Sequence, residues 1–209
     1  MSKNNDFNAI VTGRHSVRSY DPTVKISKEE MTEILNKAMT APSSTNMQPW
    51  RFLVIESEEG KAKLAPLAKF NQTQVNTSSA MIALFGDLRN YDNLEEIYGT
   101  AVELGLMPQE VKDRQVAALS NHFANIDPQV NKDTVLIDGG LVAMQLMLVA
   151  RAYGYDTCPI GGYEKDQIAE AFGLDKERYL PIMLISIGKA ADAGYHSYRL
   201  PTEKVAEWK

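Results

Sequence analysis

Residues Ser27 to Glu56, SKEEMTEILNKAMTAPSSTNMQPWRFLVIE, run from a helix through a polar loop into a strand without a break. Ser27-Lys28-Glu29-Glu30 has the form of a capping box, in which a serine hydroxyl and a glutamate three residues on satisfy free amides at a helix start. Met31, Ile34, Leu35, Ala38 and Met39 then recur at helical spacing, which predicts a helix from Ser27 to about Ala41. Pro42 stops it, having no amide hydrogen to donate. Ser43-Ser44-Thr45-Asn46 is turn-forming chain, and the aromatic and β-branched run Trp50–Glu56 predicts a strand.

The pattern continues on both sides. A short helix fits Glu58 to Leu67 and a buried strand fits Ala80 to Phe85. From Asp92 to Asn125 charged and apolar residues alternate at helical spacing around Pro108, which predicts two helices. A central helix fits Thr134 to Tyr153, ended by Gly154 in a left-handed cap; its apolar residues occupy almost every side, so it reads as packed all round. Cys158-Pro159-Ile160-Gly161-Gly162 follows, then a helix from Lys165 to Phe172 stopped by Gly173, then a strand from Leu180 to Ile187. Residues 190–209 carry no periodicity yet hold Tyr195, Tyr198, Leu200 and Trp208, which suits an extension lying across another surface. With no repeat and no composition break, the 209 residues read as one α+β domain.

Composition narrows the function. The chain has 22 basic and 27 acidic residues, a net charge of −5 and no Lys/Arg block, which argues against a nucleic-acid groove. Cys158 is the only cysteine, and His15, His122 and His196 are widely spaced, so neither an internal disulfide nor a zinc pattern is expected. The N-terminus MSKNNDFNAI has no apolar signal core, which points to the cytoplasm. The longest apolar run, Val135–Ala150, is broken by Asp138, Gly139, Gly140 and Gln145 and falls short of the ~20 residues of a membrane span.

Three polar segments beside apolar elements could carry chemistry. Arg14 and Arg18 lie four residues apart with Ser16 between them; guanidinium forks suit phosphate oxygens, although a solvated surface pair has the same spacing. Pro42-Ser43-Ser44-Thr45-Asn46-Met47-Gln48-Pro49-Trp50 is either a plain connecting loop or a set of hydrogen-bonding groups against a rigid apolar wall. Pro159-Ile160-Gly161-Gly162 is either a tight turn or a place where backbone comes close to a ligand.

Taken together and in this order, RHSVRSYD (14–21), APSSTNMQPWRFLVI (41–55), PIGGY (159–163) and HSYRLP (196–201) resemble the nitroreductase-like FMN flavoproteins. The resemblance implies a central, mainly antiparallel sheet flanked by helices, and a homodimer with FMN at the interface onto which each C-terminal tail extends. It implies that Arg14, Ser16 and Arg18 hold the phosphate and ribityl chain, with Arg199 completing the positive cluster. His15 sits inside the motif and would reach the ring through its main chain. Pro42, Ser43, Ser44 and Asn46 would come from the other subunit. Asn71, in KFNQTQ, would meet the pyrimidine edge with Gln74 close behind, and the turn Pro159, Ile160, Gly161 and Gly162 would offer backbone amides near flavin N5. One branch of the family has lysine at Gln74 and at Ser197 and glutamate at Gly161; this chain is similar to the branch with a Gly-Gly turn.

The implied reaction is ping-pong: hydride passes from NADH or NADPH to the flavin, then two electrons to a small electron-poor acceptor such as a nitroaromatic, quinone or enone. No GxGxxG is present, so the nicotinamide would visit as a substrate, and no side chain need serve as a nucleophile. Two other readings were weighed. Ser186-Ile187-Gly188-Lys189 is formally SxxK but ends a strand where a hydrolase serine would open a helix. A flavin-binding protein of the same fold that senses or stores flavin without turnover is the alternative.

Overall fold

The computed structural model describes residues 3–209. Its strands are β1 (Trp50–Ile55), β2 (Ala80–Asp87), β3 (Asp156–Ile160) and β4 (Tyr179–Gly188), joined in one antiparallel sheet of order β1-β2-β4-β3. The helices are α1 (Phe7–Gly13), α2 (Lys28–Ala38), α3 (Glu58–Leu64), α4 (Gln72–Thr77), α5 (Leu94–Glu103), α6 (Gln109–Asn125), α7 (Pro128–Ala152) and α8 (Lys165–Ala171).

β2 is buried along its whole length. Its side chains alternate between two cores, as the two-residue period of a strand requires. Ile82 and Leu84 pack with Ile34 of α2 and with Val142 and Leu146 of α7. Met81, Ala83 and Phe85 pack on the opposite face with Leu64 of α3, Val75 of α4 and Ile168 of α8. The sheet is therefore the middle layer of three, and a strand covered on both faces reads as an unbroken apolar run.

The depth at which α7 meets the sheet is set by two glycines. A Cβ on Gly86 would fall 2.1 Å from Val135 Cγ1, and one on Gly139 would fall 2.2 Å from Ile182 Cδ1. At the end of β2 the fully buried Asp87 carboxylate is held by Arg178, whose Nε and Nη2 donate at 2.9 and 2.8 Å, and by Arg51 Nη2 at 3.1 Å. A buried carboxylate needs such partners to offset its lost hydration.

Several boundaries differ from the sequence expectation, each for a local reason. The Ser27 cap forms, its hydroxyl accepting from the Glu30 amide at 3.2 Å, but α2 ends at Ala38 ahead of Pro42. Pro66 breaks the next helix after Leu64, leaving a tight turn over Ala65–Leu67. α5 and α6 flank Pro108 as expected. α7 begins at Pro128, six residues early, because Asp127 caps it by accepting from the Gln129 and Val130 amides. At 25 residues it is long and apolar enough to cross a membrane, unlike the shorter run read from sequence, and its inner face serves as the core helix of this domain. It is not packed all round: Ile137, 66% exposed, heads an outer face with Val130, Leu141 and Met144. Gly154 and Gly173 take the expected left-handed conformation, with φ of 85° and 74°. Cys158–Ile160, for which the sequence predicts no strand, is part of β3, an outermost strand that tolerates Pro159 because few of its amides are needed. Helices α1 and α4 had too few residues to leave a periodic signal.

Replacing Gly86 with alanine forces its new methyl into the stiff, β-branched Val135. We expect Gly86→Ala to lower unfolding free energy by about 1–3 kcal/mol, the usual cost of overpacking. Urea denaturation followed by circular dichroism checks this, and an unchanged midpoint would show that α7 does not sit against the sheet as described.

Candidate functional site

Three of the sequence-predicted segments converge at the β3 edge. The Val17 amide donates to Thr157 O of β3 at 3.1 Å, and Ser16 forms a parallel bridge with Thr157. The buried Tyr20 fixes the other end of the segment, its hydroxyl donating to Val17 O at 2.6 Å and lying 2.7 Å from Ser186 Oγ of β4. Arg14, Ser16 and Arg18 are thus laid along the sheet edge by backbone pairing. Among the described residues, neither the Arg14 nor the Arg18 guanidinium forms an ion pair, whereas Arg51, Arg89, Arg151 and Arg178 all do.

β3 then delivers Gly161 and Gly162 beside α4. Asn71 Nδ2 donates to Gly162 O at 3.0 Å, and Gln74 Nε2 donates to Asn71 Oδ1 at 3.3 Å. Gln74 is only 5% exposed, so its amide has little freedom. A Cβ on Gly161 or Gly162 would meet nothing within 4 Å, leaving that backbone face open. A cleft of about 310 Å³ joins the two ends, lined by Ser16, Arg18, Asn71 and Gln74 and by Ser19, Phe70, Thr73, Asp192, Gly194 and Tyr195. Ser19 lies inside RHSVRSYD and Phe70 and Thr73 inside KFNQTQ, whereas Asp192, Gly194 and Tyr195 had no motif to mark them. Cys158 is buried nearby; desolvation pushes its thiol up, partly offset by Arg18 and by hydrogen bonds to Ser16 and Gln74. Pro159 is exposed on β3 and Ile160 points into the core of the α3–α8 face.

His15 binds through its side chain as well as lying in the motif. Its Nδ1 is 2.9 Å from Gly13 O and its Nε2 is 2.6 Å from Ala193 O, which pins the start of the C-terminal tail to this segment. Arg199 does not join Arg14 and Arg18 within the chain: its Nη1 donates to Ser197 Oγ at 2.8 Å, inside the exposed tail.

The Pro42–Gln48 loop lies elsewhere. It leads into β1, at the opposite edge of the sheet from β3, roughly 14 Å away at the usual strand spacing. Its backbone is unusual: Thr45, Asn46 and Gln48 have φ of 47°, 56° and 48°. Left-handed non-glycine residues cost of order 1–3 kcal/mol each and persist where surrounding contacts over-determine them. Those contacts are the Ser43 hydroxyl accepting from the Gln48 amide at 3.0 Å, Tyr98 of α5 donating to Thr45 O at 3.3 Å, and Asp138 of α7 accepting from the Ser44 amide at 3.1 and 3.2 Å. Asp138 was visible in the sequence only as an acid interrupting an apolar run. Pro42, Ser44 and Asn46 face solvent, Ser43 is half-buried, and Met47 ties the loop to α5 and α6 through Leu94, Tyr98 and Leu119. A second cavity, of about 230 Å³, opens beside the loop.

Known proteins resemble this chain along nearly its whole length. YdgI of Bacillus subtilis strain 168, which bears a provisional NAD(P)H nitroreductase name, is 72% identical over 209 residues, the full length of both chains. The CLA biosynthesis enone reductase of Lactiplantibacillus plantarum is 38% identical over 197 residues, covering 94% of this chain and 91% of that one. The crystal structure of a provisionally assigned nitroreductase from Exiguobacterium sibiricum 255-15, in complex with FMN, superposes with a TM-score of 0.98 at 68% identity, covering 99% of each chain. The sequence description of the nitroreductase family matches residues 11–189. The chain belongs to the nitroreductase family.

Proposed function

We propose that this chain is an FMN-dependent NAD(P)H oxidoreductase acting as a cytoplasmic homodimer. The observation that carries the reading is the cleft at the β3 edge, with the Arg18 guanidinium, which has no ion-pair partner among the described residues, at one end and a fixed amide chain at the other. FMN has a matching polarity, an anionic phosphate joined by a polyol to a flat ring with a hydrogen-bonding edge. Arg14, Ser16 and Arg18 receive the phosphate and ribityl oxygens, and charge-assisted bonds of this kind are the strong ones. Asn71 and Gln74 meet the pyrimidine edge. The open backbone of Gly161 and Gly162, with Pro159 and Ile160 before it, borders the reactive side of the ring. The FMN in the E. sibiricum structure supports the same cofactor here.

The apolar surface that a single chain leaves exposed supports the dimer. Ile137, Leu141 and Met144 on α7, Phe7 on α1 and Tyr198 and Trp208 in the tail are all exposed in a single copy. Burial of such a surface against a second copy is favourable at about 25 cal/mol per Å². In that dimer Pro42, Ser43, Ser44 and Asn46 of one subunit reach the cofactor held at the β3 edge of the other, and the tail carries Arg199 toward a phosphate.

When bound, FMN supplies two-electron chemistry at N5, taking hydride from NADH or NADPH and passing two electrons to an electron-poor acceptor in ping-pong order. The protein's residues bind, orient and exclude solvent; no side chain is assigned as acid or base. Gln74, neutral where one branch of the family has lysine, leaves less positive charge at the pyrimidine edge and stabilises an anionic reduced ring less. The acceptor is a nitroaromatic, a quinone or an enone, and kinship with the L. plantarum enone reductase supports the last.

Removing either unpaired arginine tests the cofactor site. Arg14→Ala or Arg18→Ala is expected to weaken FMN binding by about 1.5–3 kcal/mol, the range for hydrogen bonds to charged groups, measured by flavin fluorescence titration. Unchanged affinity in both would refute the assignment. Anaerobic addition of NADH or NADPH is expected to bleach the yellow holoprotein, and an added quinone to restore the colour. A flavin that stays oxidised would mark a storage or sensing protein. Sedimentation is expected to give twice the 23.3 kDa chain mass; a monomer that retains flavin would contradict the shared site.

A further inference from the structure

We propose that Asp138 is the positioning residue of the flavin-binding loop, capping its Ser44–Asn46 turn from across the fold. This rests on the reading of Ser43, Ser44 and Asn46 as cofactor-contacting residues. A turn of this kind begins with free amides, which the preceding serine ordinarily caps. Ser43 stands in that place but makes no side-chain cap. Its hydroxyl accepts from the Gln48 amide instead, closing the loop on itself. The missing acceptor comes from 94 residues away: both Asp138 oxygens face the Ser44 amide, at 3.1 and 3.2 Å. The left-handed residues Thr45, Asn46 and Gln48 follow directly, so this contact fixes where the strained segment starts.

The surroundings of Asp138 argue against a role in stability alone. It is 4% exposed and, among the described residues, has no ion-pair partner. The cavity it lines contains Asn90, Asn131 and Thr134, which are neutral, and one other titratable group, His122 of α6. Neither the loop nor the sheet adds a charge there. Burial pushes the Asp138 carboxyl above the usual carboxylate range, partly offset by the Ser44 amide. A folded-state value raised above the unfolded one means that the ionised group disfavours folding as pH rises through that range. The carboxylate is thus retained at a cost to stability, and its visible return is the geometry of one loop. Its neighbour Ile137 lies on the exposed face of α7, so the same helix turn that would meet a second copy also holds the loop offered to that copy's site.

The test is a graded series in the full-length dimer. Asp138→Asn keeps one neutral acceptor and Asp138→Leu keeps none. FMN dissociation constants are expected to rise about tenfold for Asn and by more for Leu, since a charged acceptor is worth about 1.4 kcal/mol or more beyond a neutral one. The melting temperature of the cofactor-free Asn variant is expected to equal or exceed that of the native protein. The ratio of variant to native affinity is expected to shrink as pH falls and the native carboxyl protonates; ionisation of the FMN phosphate is common to both proteins and cancels. Equal FMN affinity in native and both variants at neutral pH would overturn the proposal, as would a loss of affinity only in proportion to lost stability. Should the variants not fold, the Ser44 amide proton in the native protein decides: its NMR shift must titrate with the Asp138 carboxyl, and a pH-independent shift overturns the proposal. Native protein that binds no FMN would refute the cofactor reading instead, leaving the Ser44 titration to judge the Asp138 contact.

Discussion

The outer edge of β3 is the constraint on which the site depends. An edge strand presents unpaired amides and carbonyls, and proteins must cover or blunt them. Here the cover is the segment that carries Arg14, Ser16 and Arg18, docked by the Val17–Thr157 hydrogen bond and locked by the buried Tyr20. Because that segment is held by its backbone, its guanidinium groups stay free for a ligand. The same strand runs on into Gly161-Gly162, beside Asn71, which precedes α4, and Gln74 within it. One covered edge therefore gathers three segments that are distant in sequence.

The opposite edge carries the remaining segment, and α7 connects the two halves of the account. Gly86 and Gly139 let this helix sit close to the sheet, which places Asp138 under the Ser44 turn. The outward side of the helix is apolar and exposed. A single chain thus has a cleft at one edge, a strained polar loop at the other, and an exposed apolar helix face between them. In the proposed dimer, two copies related by a two-fold axis would resolve all three features at once, since each copy would offer its loop to the other's cleft.

Much of this was legible in the sequence, and the failures have physical causes. The Ser27 helix cap, the strand after Pro49 and the glycine stops at Gly154 and Gly173 rest on local chemistry and are present in the structure, although the Glu30 carboxylate accepts from the Tyr155 hydroxyl in place of closing a capping box. β3 has no strand signal in the sequence because its five residues include Pro159 and lie beside two glycines, and only the pairing with β4 reveals it. α7 was cut short because its first turn is polar and its start is set by Asp127 and Pro128. Of the candidate residues, Ser16, Arg18, Asn71 and Gln74 line one cleft and Asn71 bonds the Gly161–Gly162 turn, whereas Arg14 lies outside that lining and Arg199 stays in its own tail. Asp138 and Tyr98 left no motif, since their meaning lies in contacts of 94 and 53 residues' separation.

The central claim is that each cofactor is held by the β3 edge of one chain and the Ser43–Asn46 loop of another. Mixed dimers measure it directly: co-expressed chains, one with Arg14→Ala and Arg18→Ala, the other with Ser43→Ala and Asn46→Ala, each lose FMN binding alone. The mixed dimer regains one intact site, assembled from the undamaged edge of the second chain and the undamaged loop of the first, so FMN is expected to bind at one per mixed dimer. If the mixed dimer binds no more FMN than its parents, edge and loop serve the same chain and the account is wrong.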